Sequence, residues 1–340
     1  MLATLVDESF SDPDWLFETK WDGVRAICFI KEGQARFVSR SQLDMTSQYP
    51  ELANVSASIS ASEAIIDGEI VALDELGISR FQLLQPRLGR KNSREIQRLA
   101  ATTRLAYYVF DLVYLDGRDL TACKLIDRKK MLERILKPAK NIRYSDHIIA
   151  EGLRLYEEIV KVPLEGMIAK RMASTYVQRR SVDWLKIKTV QEAEVVIGGY
   201  TQPRKSRSYF GALVVGLYND GDLHYVAHVG GGFNEKTLEQ IYSRLQRLKT
   251  RHCPFVDEPQ TNEVVQWVKP KLVVQVKFTE WTADRRMRQP VFLGLREDKQ
   301  SRQCKFEVMQ DTTQAVTNAE GRAQNSNSEG LNVMKKGNRR

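Results

Sequence analysis

No apolar run in this 340-residue chain approaches the roughly 18 residues that a membrane-spanning helix needs. Mean hydropathy is −0.41, so a membrane protein is not expected. The opening MLATLVDESF has no basic stretch followed by an apolar core, and so no signal peptide is expected. Cysteine is scarce. Cys28, Cys123, Cys253 and Cys304 are widely spaced with no CxxC pair, which argues against a disulfide framework or a four-cysteine zinc site and for the cytoplasm. Histidine is equally sparse. His224 and His228 stand four apart, but the residues between them read as strand, and His147 and His252 complete no ligand pair. Whatever chemistry exists must rest on lysine, arginine and carboxylates. Charge is what the chain has in plenty: 52 Lys and Arg against 43 Asp and Glu give +9. A polyanionic partner follows as a class. The excess is spread along the chain rather than gathered in one basic block.

The length fits two ordinary domains. Before about residue 190, short strand-like runs (AICFI, ARFV, IIDGEIVALD, LAYYVFDLVYLD, GMIAKR, DWLKIKT) are interspersed with helical stretches near 93–101, 127–136 and 150–160. There is no regular βαβ alternation, which predicts an α+β domain rather than a doubly wound one. A new pattern starts near Ala193. EVVIGGY, GALVVGLY and LHYVAHV read as strands, with a hairpin turn at Asn219-Asp220-Gly221-Asp222. A helix capped by Asn234 follows, with Leu238, Ile241, Tyr242, Leu245 and Leu248 on one face. KLVVQVKFTEW and PVFLGLRE bring the count to five strands and one helix, the inventory of an OB-fold. From residue 309 the chain turns polar and ends in KKGNRR, which predicts a disordered tail over 309–340.

The string Lys20-Trp21-Asp22-Gly23-Val24-Arg25 can turn a lysine and an arginine toward a phosphate. Alone it is also a common surface turn. It is followed in order by Ser39-Arg40, Asp67-Gly68-Glu69, Phe110-Asp111-Leu112, Glu165-Gly166-Met167-Ile168-Ala169-Lys170, Trp184-Leu185-Lys186-Ile187-Lys188 and Arg296-Glu297-Asp298-Lys299. Lys186 and Lys188 alternate on a strand and so share a face. Two ammonium groups on one face can hold an α-phosphate as its charge grows.

The ordered set resembles the covalent nucleotidyltransferases, and within them the ATP-dependent DNA ligases, most of all the ligase domain of bacterial ligase D. The likeness runs from about Leu2 to Arg302. It implies an α+β nucleotidyltransferase (ATP-grasp-like adenylation) domain over 1–190 and a DNA-binding OB-fold β-barrel domain over 193–308, hinged near 189–193. It also implies ATP, a divalent metal (Mg2+ or Mn2+) and nicked double-stranded DNA. By this resemblance Lys20 is the nucleophile that carries AMP. An amine must be neutral to attack phosphorus, and nearby Lys186, Lys188 and metal are expected to lower its pKa. Glu69 is expected at ribose or metal and Glu165 at metal. Phe110 is expected to stack on adenine, with Met167 or Ile168 on its other face. Arg25 and Arg40 would fork to ribose or phosphate. Glu18 would sit at the adenine pocket mostly through its backbone, and Arg180 would be a further phosphate-side arginine. Arg296, Asp298 and Lys299 would close over ATP and orient pyrophosphate.

The chain departs from the family pattern in three places. Ser41-Gln42 replace Asn-Gly, Arg179 replaces a glycine, and Arg285 replaces the glycine of an Asp-Gly-x-Leu-Arg-His segment. The function expected is a DNA ligase that seals nicks in DNA repair and recombination. It is expected to act as a monomer in the nucleoid-associated cytoplasm, with a Ku-like end-binding protein as candidate partner. An RNA ligase, a capping-type guanylyltransferase or a non-catalytic DNA-end-binding protein are the alternatives.

Overall fold

The computed structural model describes residues 1–137, 139–162, 164–203, 208–257, 259, 261 and 263–321. Three sheets organise it. The first runs in the order Leu2–Leu5, Arg180–Lys188, Gly166–Arg171, Trp15–Thr19, His147–Ile149. All its pairings are antiparallel except that of Leu2–Leu5 with Arg180–Lys188. The second runs Gln34–Ser39, Val24–Lys31, Glu63–Leu73, Arg104–Leu115, Arg118–Asp119, with Ile142–Tyr144 added in parallel to Arg104–Leu115.

Period-two patterning explains how these strands sit. Along Val24–Lys31 the residues Val24, Ala26, Cys28 and Ile30 are buried and their neighbours are not. Helix Leu125–Ile135 begins two residues earlier than its apolar repeat suggested, because Leu125 is itself fully buried.

The third sheet holds Asp222–Val229, Leu213–Asn219, Gln191–Thr201, Val273–Phe278 and Val291–Leu295, with a short Val265–Trp267 strand beside Gln191–Thr201. Asp220 and Gly221 both take positive φ at the expected hairpin. Helix Glu235–Gln246 starts at Asn234, whose side chain accepts from the Thr237 amide at 2.9 Å. The α+β architecture with an OB-fold expected from sequence is present. Strands Leu2–Leu5 and Val265–Trp267 were not anticipated. Only residues 189 and 190 separate the last strand of the first sheet from the first strand of the third.

The polar tail departs from expectation. Residues 312–321 are helical, not disordered. The Asp311 carboxylate accepts from the Gln314 amide at 2.8 Å, and Ala315 and Ala319 are fully buried beside Val6, Trp15, Ile159 and Ile187. Two alanines four apart let a helix approach closely without large apolar residues, so composition alone missed it. Residues 322–340, including KKGNRR, lie outside those described. Among the described residues, no helix is long and apolar enough to cross a membrane.

Candidate active site

Residues of the first and second sheets and residues of the third line opposite sides of a cleft of about 820 Å³. Lys20, Glu69, Glu165, Lys186 and Lys188 line it from one side and Glu194, Arg296 and Lys299 from the other. Of the residues singled out from the sequence, Glu18, Lys20, Arg25, Arg40, Glu69, Phe110, Glu165, Ile168, Arg180, Lys186, Lys188, Arg296, Asp298 and Lys299 line this cavity, and Met167 does not.

Lys20 leaves strand Trp15–Thr19, and its amide donates to the Gly166 carbonyl at 2.9 Å. Trp21 fixes the turn: its ring stacks on Tyr108 at 3.6 Å, and its indole N–H reaches Ser145 Oγ at 3.0 Å. The Lys20 ammonium is ion-paired with Glu165. Gly166 permits this approach. Its φ is +144°, and a Cβ there would collide with the Ile187 carbonyl.

Burial pushes the Lys20 amine down, but the Glu165 carboxylate outweighs it and lifts the pKa to about 12. Among the protein's own groups, the nearest charge to Lys20 is a carboxylate, and that carboxylate rather than Lys186 and Lys188 sets its pKa. Other carboxylates crowd the same spot. Burial, then the Glu165 charge, pushes Asp22 up to about 7. Burial pushes Glu69 up to about 8, against the pull of Lys20 and Arg25. Glu165 differs: burial alone would raise it, but Lys20 and Lys188 hold it below the usual range. Among the described residues no group of three or more acidic, histidine or cysteine side chains is arranged to hold a metal, so a hard divalent cation would take one or two of these carboxylates and fill its remaining positions with water and phosphate. Asp22 was read only as part of the turn, yet it belongs to this group.

Lys186 and Lys188 both point into the cleft while Ile187 between them is buried in the core, as their alternation predicted. Lys188 Nζ donates to the Glu192 carbonyl at 2.7 Å. Burial lowers Lys186 to about 8. Phe110 is half-buried, edge-on to Trp184 at 6.0 Å. Ile168 lines the cleft, whereas Met167 is fully buried in the core, and Lys170 Nζ lies 4.3 Å from the centre of the Phe110 ring. Arg40 stands exposed on the rim.

One side chain is committed differently from expectation. Arg25 forks onto the Asp67 carboxylate, with Nε to Oδ1 at 2.9 Å, instead of presenting a free fork to ligand. Asp67 is wholly buried and also accepts from the Tyr176 hydroxyl at 2.8 Å. The Glu18 side chain is consumed by Lys129 Nζ at 2.6 Å, Lys170 Nζ at 2.9 Å and Ser145 Oγ at 3.1 Å. Sequence reasoning missed Lys129 entirely. Its signal, a lysine on the inner face of an amphipathic helix, is common to many long side chains that only pass by a core.

The other wall comes from the third sheet. Arg296 forks onto Asp298 at 2.9 and 2.8 Å and reaches Gln275 and Glu194, both at 3.1 Å. Its guanidinium lies 4.5 Å over the Phe81 ring across the cleft. Lys299 pairs with Glu194. Ser41 Oγ, at one of the departures from the family pattern, donates to the Asp298 carbonyl at 2.9 Å. The two walls are therefore closed on each other.

An ion-paired lysine, a carboxylate cluster and cations converging from two domains define a nucleotide-handling cleft built around an amine. A family model described as ATP dependent DNA ligase domain matches residues 1–188, and one described as ATP dependent DNA ligase C terminal region matches 206–299. The multifunctional non-homologous end joining protein LigD of Pseudomonas aeruginosa is 36% identical over 309 residues, covering 89% of this chain and 36% of that protein. LigD of Mycolicibacterium smegmatis is 38% identical over 289 residues, covering 84% and 36%. The solved structure of mycobacterial DNA ligase D complexed with ATP and MES is 31% identical with a TM-score of 0.61, covering 91% of this chain and 98% of that one. The chain belongs to the ATP-dependent DNA ligases. It spans a little over a third of the length of the curated relatives it matches.

Proposed function

We propose that the chain seals nicks in duplex DNA through AMP carried on Lys20. The observation that carries this is Lys20 paired to Glu165 in a cavity shared with Lys186, Lys188, Arg296 and Lys299. The ammonium must first give up its proton to solvent, because Glu165 beside it is held in its charged form and would serve as a metal ligand rather than as the base. Nζ then attacks the α-phosphorus of ATP. A P–N bond forms as the bond to pyrophosphate breaks. Lys186 and Lys188 hold the α-phosphate from one face. Arg296 and Lys299, from the opposite wall, orient the departing pyrophosphate. AMP then passes to the DNA 5′-phosphate, and attack by the 3′-hydroxyl releases it.

Glu165 and Glu69, with Asp22 beside them, would hold a divalent metal, Mg2+ or Mn2+, which supplies charge neutralisation at the phosphates. Phe110 and Ile168 sandwich the adenine ring. Arg40 and Arg180 contact phosphate from the rim. In the closed state Arg25 orders the site through Asp67 rather than by touching nucleotide.

DNA end joining, a Ku-like end-binding partner, a monomeric state and a nucleoid-associated cytoplasmic location complete the proposal. The relatives' end-joining names and the modest basic excess support them. Sealing of a nicked duplex with a 5′-phosphate, with ATP and Mg2+, tests the reading. Sealing should require both the 5′-phosphate and ATP, and duplex binding should weaken steeply with salt. Equal sealing of nicked RNA, or preference for GTP, would contradict it.

A further inference from the structure

The stretch beyond Lys299 does something that nucleotide transfer does not require. Lys305 is tied to the OB-fold, where the Tyr218 amide donates to the Cys304 carbonyl at 2.8 Å and Tyr218 bridges Lys305. Five residues later the chain is tied to the other domain, with the Gln310 amide donating to the Leu5 carbonyl at 3.0 Å. Thr312 follows, its amide on Asp7 Oδ1 at 3.0 Å and its hydroxyl within 3.0 Å of the Glu8 backbone, and helix 312–321 then docks. Between these anchors Glu307 turns into the cleft. Both its oxygens lie 2.7 Å from Lys186 Nζ, and Oε1 is 3.2 Å from Arg180 Nη2.

We propose that residues 305–321 form an autoinhibitory latch in which the Glu307 carboxylate occupies the place of a nucleotide phosphate on Lys186 and Arg180. The inference rests on the reading of those two cations as phosphate ligands. A carboxylate gripped by both oxygens satisfies an ammonium much as phosphate oxygens do. Burial alone would raise the Glu307 carboxyl, but Lys186 draws it down to about 2, so it stays charged at any working pH.

The latch also restrains the fold. Five residues span at most about 18 Å, so the OB-fold cannot swing far while helix 312–321 remains docked. That docking is light. Beyond the Thr312 hydrogen bonds, its apolar contact is two alanines and part of Val316, while Val308 before it is 78% exposed. A helix this short has little stability once it leaves the surface. ATP can therefore displace the carboxylate, and the segment can peel away as the domains open around DNA.

The test uses the full chain and two readouts, equilibrium ATP binding and covalent labelling from α-labelled ATP. Glu307→Gln should tighten ATP binding by about fivefold, equivalent to about 1 kcal/mol, with labelling retained. Ala319→Arg, which undocks the helix without touching the cations, should shift binding the same way. Amide exchange across 307–321 should rise when wild-type protein is saturated with ATP. Unchanged or weaker ATP binding in Glu307→Gln would overturn the latch even if labelling is normal. Tighter binding in both variants with no label on any chain would leave the latch standing and overturn the lysyl-AMP reading instead.

Discussion

Two buried clusters of lysine and glutamate lie a few residues apart and behave in opposite ways. Around Glu18, one carboxylate meets Lys129, Lys170 and a serine hydroxyl. Burial alone would raise its carboxyl, but the two lysines outweigh burial and hold it below the usual range. Around Lys20, one ammonium meets Glu165, Glu69 and Asp22, and two of those carboxyls are pushed up to about 8 and 7. The first cluster satisfies its carboxylate from within, although it borders the same cavity and burial lowers Lys170 to about 8. The second carries more negative charge than it can neutralise, and opens on a cavity. Unbalanced charge held in place by a rigid scaffold marks a site that works on something, whereas balanced charge marks one that holds the fold.

This contrast can be broken by experiment. The largest stability effect is expected from Lys129→Ala, which leaves the buried Glu18 carboxylate short of a cation. It should cost about 3–5 kcal/mol in urea unfolding. Lys20→Ala should cost less, about 1–2 kcal/mol, because the Glu165 carboxylate it leaves behind is less fully buried than Glu18 and keeps the charges of Lys188 and Lys186. If the two variants exchanged these effects, the assignment of structural and working clusters would be reversed.

A pH-dependent effect is expected from Glu69→Gln. The folded pKa of Glu69 lies above its unfolded value, near 8 against 4.5. The folded state therefore holds the proton more tightly between those values, and wild-type stability falls as pH rises through that window. The variant lacks this loss, so its stability relative to wild type should grow by about 3 kcal/mol from pH 5 to pH 8, measured by thermal unfolding. Smallest is Gln42→Gly. Gln42 sits at φ +62°, and glycine there should add about 0.5–1 kcal/mol, the relief of left-handed strain less the entropy glycine loses on folding.

Residues within short strings were legible. Lys20, Lys186 and Lys188 line one cavity because strand alternation and one tight turn place them, and both rules act over a few residues. The departures from the family pattern were legible as positions but not as contacts. Gln42 and Arg285 each take the positive φ that glycine favours, and Ser41 bonds to the opposite wall. What sequence could not show were pairings over long separations. Lys129 finds Glu18 across 111 residues and Lys186 finds Glu307 across 121, and nothing local to either partner announces the other. Arg25 misled for a related reason. A guanidinium fork suits a carboxylate as well as a phosphate, and only the fold shows that Asp67 reaches it first. The 312–321 helix was hidden because alanine and threonine can dock a helix without the apolar density that makes a core visible in composition.

The central claim is that Lys20 is the atom donor on which AMP is carried, and peptide mapping by mass spectrometry after incubation with ATP and Mg2+ tests it most directly. The account predicts one AMP adduct, on the peptide containing Lys20, lost in Lys20→Ala and discharged when nicked duplex DNA is added. An adduct on another residue, or one that survives Lys20→Ala, would contradict it.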